Sequence, residues 1–508
     1  MADTIVTERD LVMSLDKLDR NVRPLLGRRK IVIDYDHIDA SNVLDALSQS
    51  LVVHEINARE INYLWRYYCG DQEILYRIKD VRPEICNKIV ENRANEIVSF
   101  WVGYLGGEPI QYVSRVGDEK ITEGINELNE FFFAEDKASS DEQLIEWDMI
   151  CGTAYRIILP DEFYEKDSDE APFEIYTLDP RYAFVSYSTG LGNKPLMGVV
   201  MKTVEGRSTY YVYTDQAMFT IYDGRIVDER PHRLPALPMI EYPANHARLG
   251  AFEIVLPLLD AINNIASNRM DGVEQEIQAF LKFINCDIDT EGLKKLSEWG
   301  AIKVKSVPGM TADVDVVKTN LDQNQSQAFK EDLYAAVLSI CGIPNRNGGN
   351  STSDTGAAVV LRDGWSAAEA RAKDYEHMFK IAEKHMLKVA LAICKDIADL
   401  DISLKDIDQK FTRRNYENIQ SKAQVLCEML QQARIHPKLA FMHSGLFSDP
   451  ESAYAMSEEF YEQQMKEWKL QEVDSNESKG AGTGQEGGTG KASVQETGQV
   501  SGTDRKED

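Results

Sequence analysis

The stretch from Asn324 to Gly342 reads NQSQAFKEDLYAAVLSICG, and residues 343–355 continue it with IPNRNGGNSTSDT. Large apolar residues recur in the first part at spacings of four, four and three: Phe329, Leu333, Val337 and Ile340. That period places them on one side of an α-helix, and Gly342 and Pro344 are typical helix-ending residues. We therefore expect an amphipathic helix that ends at Gly342 and leads into a loop.

The loop is polar and rich in glycine. Its members are Asn345, Arg346, Asn347, Gly348, Gly349, Asn350, Ser351, Thr352, Ser353, Asp354 and Thr355. None is a large apolar residue that could anchor the segment in a core, so we expect an exposed and mobile loop. Either Asp354 or Thr355 could cap the helix that follows.

A second, much longer helix is expected over residues 356–400. Its buried side is predicted to contain Ala368, Ala372, Tyr375, Phe379, Ala382, Met386, Val389 and Ile393. No proline interrupts this pattern. A helix of roughly forty residues is about 60 Å long, which exceeds the diameter of a small domain, so this element should span an assembly.

Composition restricts the possible functions. The 508 residues include 56 basic and 84 acidic side chains, and the net charge is -28 at pH 7. Such a charge keeps a large protein soluble and repels phosphate groups, whereas tight DNA binding needs lysine and arginine to displace counterions. A sequence-specific DNA-binding protein is therefore disfavoured. We predict no membrane helix and no signal peptide, because no run approaches about 20 apolar residues and the N-terminus MADTIVTERD lacks a charged-then-apolar pattern.

The cysteines are isolated and odd in number: Cys69, Cys86, Cys151, Cys286, Cys341, Cys394 and Cys427. No Cys-x-x-Cys pair occurs, so neither a disulfide framework nor a zinc site is indicated. We interpret these residues as core thiols in a reducing compartment.

The spacing of apolar residues changes within the first half of the chain. Residues 1–40 favour an arm or a peripheral strand, and a helix is predicted to begin at Pro83, with Ile85 and Ile89 on its apolar side. From 153 to 242 the apolar period becomes two, which is typical of an antiparallel sheet. These features predict an α+β domain.

The predicted boundaries are an α+β domain at 1–245, a long helix at 246–284, a small α/β insertion at 285–322, the helix at 323–344, the loop at 345–355, the long helix at 356–400, further helices at 401–470 and a tail at 471–508. The tail has almost no large apolar residue to offset ordering entropy, so we expect it to be disordered. The segment joining the two C-terminal helices, Ile435 to Asp449, is predicted as a connection.

Catalytic and metal-binding signatures are missing from the sequence. The nearest match to a phosphate-binding loop, Gly484 to Ala492, has the wrong glycine spacing, lacks a Ser or Thr after its lysine and follows no strand. The histidines show no metal-ligand pattern either, because His377 and His385 are eight residues apart on one helix. We predict no catalytic residue, no metal site, no cofactor and no enzyme activity.

Nine short stretches carry a family resemblance. In chain order they are Tyr67–Asp71, Asn87–Val90 with Asn92, Gly103–Tyr112, Gly152–Tyr155, Leu178–Pro180, Phe252–Asp260, Ile343–Asn345, Thr355–Ala358 and Phe411–Asn415. With two long helices around a small α/β insertion, they resemble the portal proteins of tailed bacteriophages, of the family typified by siphophages of Gram-positive bacteria. The resemblance extends from about Asp39 to Leu470.

The resemblance implies an α+β, mostly α, ring-forming portal fold. Its parts would be a wing at 1–245 with the long wing helix at 356–400, a stem at 246–284 and 323–344, a clip at 285–322, a tunnel loop at 345–355, a crown at 401–470 and the disordered tail at 471–508.

The resemblance also implies a function and a location. About twelve subunits would form a ring at one capsid vertex, assembled in the host cytoplasm, with a channel for DNA packaging and ejection. Its expected partners are further copies of itself, double-stranded DNA bound non-specifically, the terminase large subunit, a head-completion adaptor, and the major capsid and scaffolding proteins, with no membrane.

Candidate site residues follow from the same resemblance. The tunnel loop would line the channel, where Arg346 either faces DNA or pairs with Asp354 or an acid of a neighbouring subunit. Candidates for partner docking in the clip are Lys294, Lys295, Glu298 and Trp299; alternatively, Trp299 is a core or subunit-contact aromatic and the lysines are solvated. Gly364 is the candidate for a kink in the long helix.

Two other function classes compete with a DNA-channel protein. An NTP-driven DNA motor or nuclease is disfavoured, because no phosphate loop or paired acidic metal site stands out. A helical scaffolding or capsid shell protein would also be acidic and non-enzymatic, so this alternative stays open.

Overall fold

The computed structural model describes residues 27–466, with gaps at 116–117, 167–168, 205–206, 278–279, 285, 288–304, 307–308, 310, 312, 318–322, 346–363, 414–418, 433, 448–449 and 451–452. The chain forms two compact units, which divide in sequence between Ser421 and Lys422. Helical residues outnumber strand residues in the described chain, so the prediction of a mixed, helix-rich α+β fold is confirmed.

The first unit begins with a region of mixed helices and strands. In chain order these are β1 (Ile31–Ile33), α1 (Val43–Tyr68), α2 (Arg93–Leu105), β2 (Gln111–Ser114), α3 (Glu119–Ala134), α4 (Lys137–Cys151), β3 (Thr153–Pro160), β4 (Phe173–Leu178), β5 (Ala183–Ser188), β6 (Pro195–Val204), β7 (Arg207–Tyr213), β8 (Ala217–Tyr222), β9 (Arg225–Pro231) and β10 (Met239–Pro243). One sheet has the order β1-β5-β6-β7-β8-β9, and a second has the order β10-β3-β4. The predicted peripheral strand is β1, which pairs in parallel with β5, and the antiparallel sheet predicted from the period of two is confirmed.

Strand β3 separates two hydrophobic cores. Its alternate residues Ala154 and Ile158 belong to a core with the helices, whereas Tyr155 and Ile157 belong to the core beneath the six-stranded sheet. Because side chains of a strand point alternately to its two faces, β3 must be covered on both sides, which explains its almost continuous burial.

The first unit continues with long helices and short strands. These are α5 (Leu256–Ile277), β11 (Phe280–Ile284), β12 (Cys286–Asp287), β13 (Lys305–Ser306), β14 (Asp313–Val317), α6 (Gln323–Cys341), α7 (Trp365–Ile397) and β15 (Ile407–Lys410). Helix α7 has 33 residues and is therefore about 50 Å long. Its buried side contains the apolar residues that the sequence pattern predicted, from Ala368 to Ile393.

Three sequence predictions need correction here. The segment from Pro83 to Asn92 is not helical, and α2 begins only at Arg93, where the Asn92 side chain caps it by accepting from the Asn95 amide. Helix α5 ends at Ile277 rather than continuing to 284, because β11 pairs antiparallel with β14. β15 pairs with β2, so this part of 401–470 belongs to the first unit.

The second unit is small and helical. It contains α8 (Ile419–Leu430), α9 (Pro437–Ser444) and a helix at 453–466. Helix α9 lies in the segment predicted as a connection; His436 caps its start, Pro437 occupies its first position, and Gly445 ends it with φ 62°. Leu426, Ala440 and Phe441 form the hydrophobic core of this second unit. The predicted tail, 471–508, lies outside the described residues.

Candidate functional site

The end of helix α6 is determined by Gly342, which adopts φ +69°. The Ile343 amide donates to the Leu338 carbonyl at 2.9 Å, and the Gly342 amide donates to the Ser339 carbonyl at 3.2 Å. This pair of bonds satisfies two carbonyls at the helix end, and Pro344 prevents further helix. The predicted stop at Gly342 is therefore confirmed.

The start of helix α7 is determined by a second glycine, Gly364. Its φ is +87°, and its carbonyl accepts from the amides of Ala367 and Ala368 at 3.1 and 3.3 Å. A left-handed residue cannot lie inside a continuous right-handed helix, because it reverses the backbone turn. The described part of the long helix therefore begins directly after Gly364. The kink at Gly364 stays a prediction, because residues 346–363 lie outside the described residues.

These two glycines lie where the end of α6 comes close to the start of α7. A Cβ atom built on Gly364 would lie 3.9 Å from the Cα of Pro344, and one built on Gly342 would lie 2.6 Å from the Arg371 Cδ of α7. We call Gly342, Pro344 and Gly364 the loop junction. The chain thus leaves α6 and enters α7 at neighbouring points. Asn345 is the one described residue of the predicted loop, and Arg346 to Thr355 lie outside the described residues.

Aromatic and charged side chains hold the first turns of α7. Trp365 lies near the rings of Phe100 and Tyr104, with centroid distances of 6.2 and 5.9 Å. Tyr104 donates to Glu369 at 2.8 Å, and Arg413 donates to the same carboxylate at 2.5 Å.

The Phe411–Asn415 stretch, assigned from resemblance to the crown, therefore contacts α7. Phe411 packs edge-on against Phe379 at 5.6 Å, and Arg413 also pairs with Glu376. Part of this family-like stretch fastens the helix that follows the loop.

Helix α5 presents a polar face to an extended segment of the chain. The side chains of Asn263, Ser267 and Asp271, which we call the polar clamp, accept from the backbone amides of Glu91, Ile89 and Asn87 at 2.8, 2.9 and 2.7 Å. Every fourth residue of a helix advances about 6 Å, and every second residue of an extended chain advances about 6.6 Å. The two spacings match, so one helix face satisfies alternate amides as a neighbouring strand would.

Further contacts attach both long helices to the region of residues 67–96. Tyr67 donates to Asp260 of α5 at 2.9 Å, and Lys79 pairs with Asp271 at 2.5 Å. Burial alone would raise the pKa of the Asp271 carboxyl, but its bonds to Lys79 and Asn87 lower it below its usual value. On α6, Lys330 pairs with Glu91 at 2.7 Å, and Tyr334 donates to Glu96 at 2.7 Å. These contacts and the polar clamp involve residues of three family-like stretches: Tyr67–Asp71, Asn87–Val90 and Phe252–Asp260.

A group of fully enclosed charges lies under the middle of α7. We call Lys137, Asp141, Arg156 and Glu383 the buried charge cluster. Lys137 is 2.7 Å from Asp141 and 2.9 Å from Glu383, while Arg156 is 2.6 Å from Asp141 and 3.7 Å from Glu383. The hydroxyl of Tyr242 donates to Glu383 at 2.6 Å, and that of Tyr112 also donates to it.

The electrostatics of the cluster indicate a structural role. Burial opposes ionisation of Glu383, but the charges of Lys137 and Arg156 outweigh it and keep its pKa below the usual value. The cluster contains two cations and two anions, and none of their side chains is more than 7% exposed. Since a substrate cannot reach it, this cluster fixes α7 against α4 and β3.

Other kinds of site were tested in the part of the chain that the structure describes. No group of three His, Cys, Asp or Glu residues there could hold a metal ion, and no described helix is long and apolar enough to cross a membrane. Cys151, Cys341 and Cys394 are buried, and burial raises the pKa of each thiol to about 12. The interpretation as core thiols fails for Cys69 and Cys427, which are exposed.

The predicted docking residues are not placed by the structure. Lys294, Lys295, Glu298 and Trp299 lie outside the described residues. What the structure describes of this insertion is its pairs of short strands, β11 with β14 and β12 with β13.

The sequence of the chain has a match among known families. The family model described as "Phage portal protein, SPP1 Gp6-like" matches residues 51–478. The chain belongs to the phage portal proteins. A comparison with individually curated proteins finds no match. As a portal protein, the chain is a virion component with a role in DNA packaging, and its family is structural rather than enzymatic.

Sequence analysis of this portal protein missed the buried charge cluster and the polar clamp. Glu383 was detectable, since a charged residue beside Ala382 and Met386 interrupts the apolar side of α7. Its partners were not, because they lie on strands and helices far away in sequence. The clamp residues were visible only as polar positions on α5.

Proposed function

We propose that this portal protein closes head to tail into a ring of about twelve copies at one capsid vertex, and that double-stranded DNA passes through it during packaging and ejection. The family match over residues 51–478 carries the proposal. The wing is the mixed region with α7, the stem is α5 and α6, the clip is the insertion at 285–322, and the crown lies beyond β15. Assembly takes place in the host cytoplasm; assignment to siphophages of Gram-positive hosts stays a prediction.

Exposed apolar side chains on the two long helices support assembly. Phe329 and Ile340 of α6 are 57% and 39% exposed, and Met270 and Val273 of α5 are each 41% exposed. An isolated chain gains nothing from presenting such residues to water, whereas neighbouring stems in a ring would bury them. The attachment of α5 and α6 to residues 67–96 supports a stem that moves with the wing as one body.

The loop junction supports a channel-lining loop. Pro344 and Gly364 are neighbours, so the segment between them, which contains the proposed tunnel loop at 345–355, leaves and rejoins the helices at one place in each subunit. Their polar character and single cation, Arg346, suit weak and non-specific contact with passing phosphates, in keeping with the acidic chain. The clip residues Lys294, Lys295, Glu298 and Trp299 are the proposed contacts for the terminase large subunit. The head-completion adaptor, the major capsid protein and the scaffolding protein are the other proposed partners.

Electron microscopy of the purified protein in end-on view, together with its native mass, tests the assembly. We expect discrete rings with a central hole and one stoichiometry. Phe329→Asp should yield smaller species, whereas Phe163→Asp, a control at an aromatic that is 85% exposed outside the stem, should leave the rings intact. Shells or filaments would instead support a capsid or scaffolding protein, and ATP turnover by the protein alone would support a motor.

The loop requires a separate experiment. We expect Arg346→Ala to assemble normally and to change the amount of DNA packaged in an in vitro reaction with terminase and capsids. Unchanged packaging by an intact variant ring would remove Arg346 from the DNA path.

A further inference from the structure

A cavity of about 580 Å³ lies between α7, the β5–β6 turn and the segment after β10. Among the described residues that line it are three permanent cations, Lys30, Lys194 and Arg248, and a single carboxylate, Glu241. This balance is the reverse of the chain as a whole, whose net charge is -28. The cavity is thus a positively charged pocket on an acidic protein.

The single carboxylate is already neutralised. Arg248 binds Glu241 through two bonds of 2.6 and 3.0 Å, and the hydroxyl of Tyr187 also donates to it. Lys30 lies 4.3 Å above the ring of Tyr187 and, like Lys194, has no ion pair within the described part of the chain. Two lysines therefore remain at the pocket without an anion.

The rim of the pocket is preorganised. Asn193 and Arg248 adopt φ 43° and φ 54°, a backbone region that residues other than glycine rarely occupy. The β5–β6 turn is closed by the Ser188 amide, which donates to the Lys194 carbonyl at 2.9 Å, and by the Asn193 side chain, which donates to the Ser188 carbonyl at 2.9 Å. Such conformations cost free energy, and they are concentrated where a surface must hold one shape for a ligand.

The remaining wall is apolar. Leu237 and Met239 line one side, and Met378, Ile381 and Ala382 of α7 line the other, with Ile381 56% exposed. A bare inorganic anion would leave this wall exposed to water. Lys30 covers the ring of Tyr187, so a nucleotide base would find no open face for stacking on that ring. An apolar side chain next to a carboxylate meets both halves of the pocket.

We propose that this pocket binds a segment of a partner protein in which an acidic residue is adjacent to a large apolar residue. The carboxylate lies between Lys30 and Lys194, and the apolar side chain packs on Met378 and Ile381. This inference does not depend on ring formation, because every residue involved belongs to one subunit.

Fluorescence anisotropy with the full chain tests the proposal. The probe is a fluorescein-labelled peptide, Gly-Glu-Leu-Asp-Phe-Glu-Gly, and its matched control replaces each acid by its amide. We expect the acidic peptide to bind with a Kd below about 100 µM and the amide peptide to bind at least about tenfold more weakly. Added salt should weaken the binding of the acidic peptide, since the contact is partly electrostatic.

Substitutions assign the binding to the pocket. The double substitution Lys30→Gln and Lys194→Gln should weaken binding of the acidic peptide at least about tenfold. Ile381→Asp should weaken binding of both peptides. Lys202→Gln, at an exposed lysine of the same sheet outside the pocket, should have no effect. Equal binding of the two peptides, no binding, or binding unaffected by the pocket substitutions would overturn the proposal. Displacement of the peptide by inorganic phosphate at a similar concentration would show a phosphate site and overturn it as well.

Discussion

The backbone amide of Ile89 donates to the hydroxyl of Ser267 at 2.9 Å, across 178 residues of sequence. Ser267 is fully buried in the middle of the polar clamp, between Asn263 and Asp271. The bond lies where an extended segment runs along a helix that the proposed stem depends on. The effect of removing this bond therefore measures how strongly the extended segment is held against α5.

Removal of this bond should loosen the extended segment. We expect Ser267→Ala to lower the free energy of unfolding by about 1–2 kcal/mol, because the Ile89 amide loses its acceptor. Hydrogen exchange should be faster at the Ile89 amide than in the wild type. Ser99→Ala, at an exposed serine of α2, should change stability by less than about 0.5 kcal/mol. Unchanged exchange at Ile89 would mean that the clamp does not hold this segment.

The buried charge cluster should respond to charge balance. Glu383→Gln should lower the free energy of unfolding by about 3–5 kcal/mol, because Lys137 and Arg156 then outnumber their remaining buried anion, Asp141. The double variant with Lys137→Met restores neutrality, so it should lose less than the sum of the two single losses in denaturant unfolding. Simple additivity would contradict coupling within the cluster.

An exposed ion pair between α7 and the segment that follows it is the matched control for the cluster. Lys395 lies 3.0 Å from Asp401, and their side chains are 59% and 72% exposed. Lys395→Ala should therefore have almost no effect on stability.

Replacement of glycine by alanine should have opposite effects on stability at Gly364 and at Gly103. Gly364→Ala should destabilise the protein by about 1 kcal/mol, because φ +87° disfavours any side chain even though a Cβ there would meet nothing closer than 3.9 Å. Gly103→Ala, inside α2 with open space around it, should stabilise the protein by up to about 1 kcal/mol. Thermal unfolding of both variants measures this; an equal or higher melting temperature for Gly364→Ala would contradict the left-handed helix start.

His54 should make folding sensitive to acid. It is stacked on Phe184 at 4.4 Å and bonds to the Arg181 carbonyl, and burial lowers its pKa to about 4. Between pH 6.5 and 4 the unfolded chain binds the proton more tightly, so stability is full above this window and falls as pH decreases through it. The loss from this residue at pH 5 should be about 2 kcal/mol.

The comparison for His54 is the pH dependence of His54→Gln, whose amide can still donate to the Arg181 carbonyl. Denaturant unfolding at pH 8 and pH 5 should show a smaller decrease for the variant than for the wild type. Equal decreases would mean that His54 is not kept neutral in the folded protein.

The sequence predicted well the features that depend on local periodicity. Helix α6, its stop at Gly342 and the sheet at 153–242 all follow from spacing and from residues with strong backbone preferences. The error at Pro83 has a physical cause: Ile85 and Ile89 are spaced as in a helix, but side chains of α5 bind the amides of this segment. The buried charge cluster also depends on contacts between distant parts of the chain, which periodicity cannot reveal.

Because Pro344 and Gly364 lie close together, the length of the segment between them can change independently of the helices α6 and α7. When a segment starts and ends at one place, insertion or deletion of residues leaves the supporting helices where they are. For a flexible segment, doubling the length costs only about 0.6 kcal/mol in closure entropy. The length of this segment can therefore change without a redesign of the scaffold, and an engineer could insert a reporter peptide here at small cost to folding.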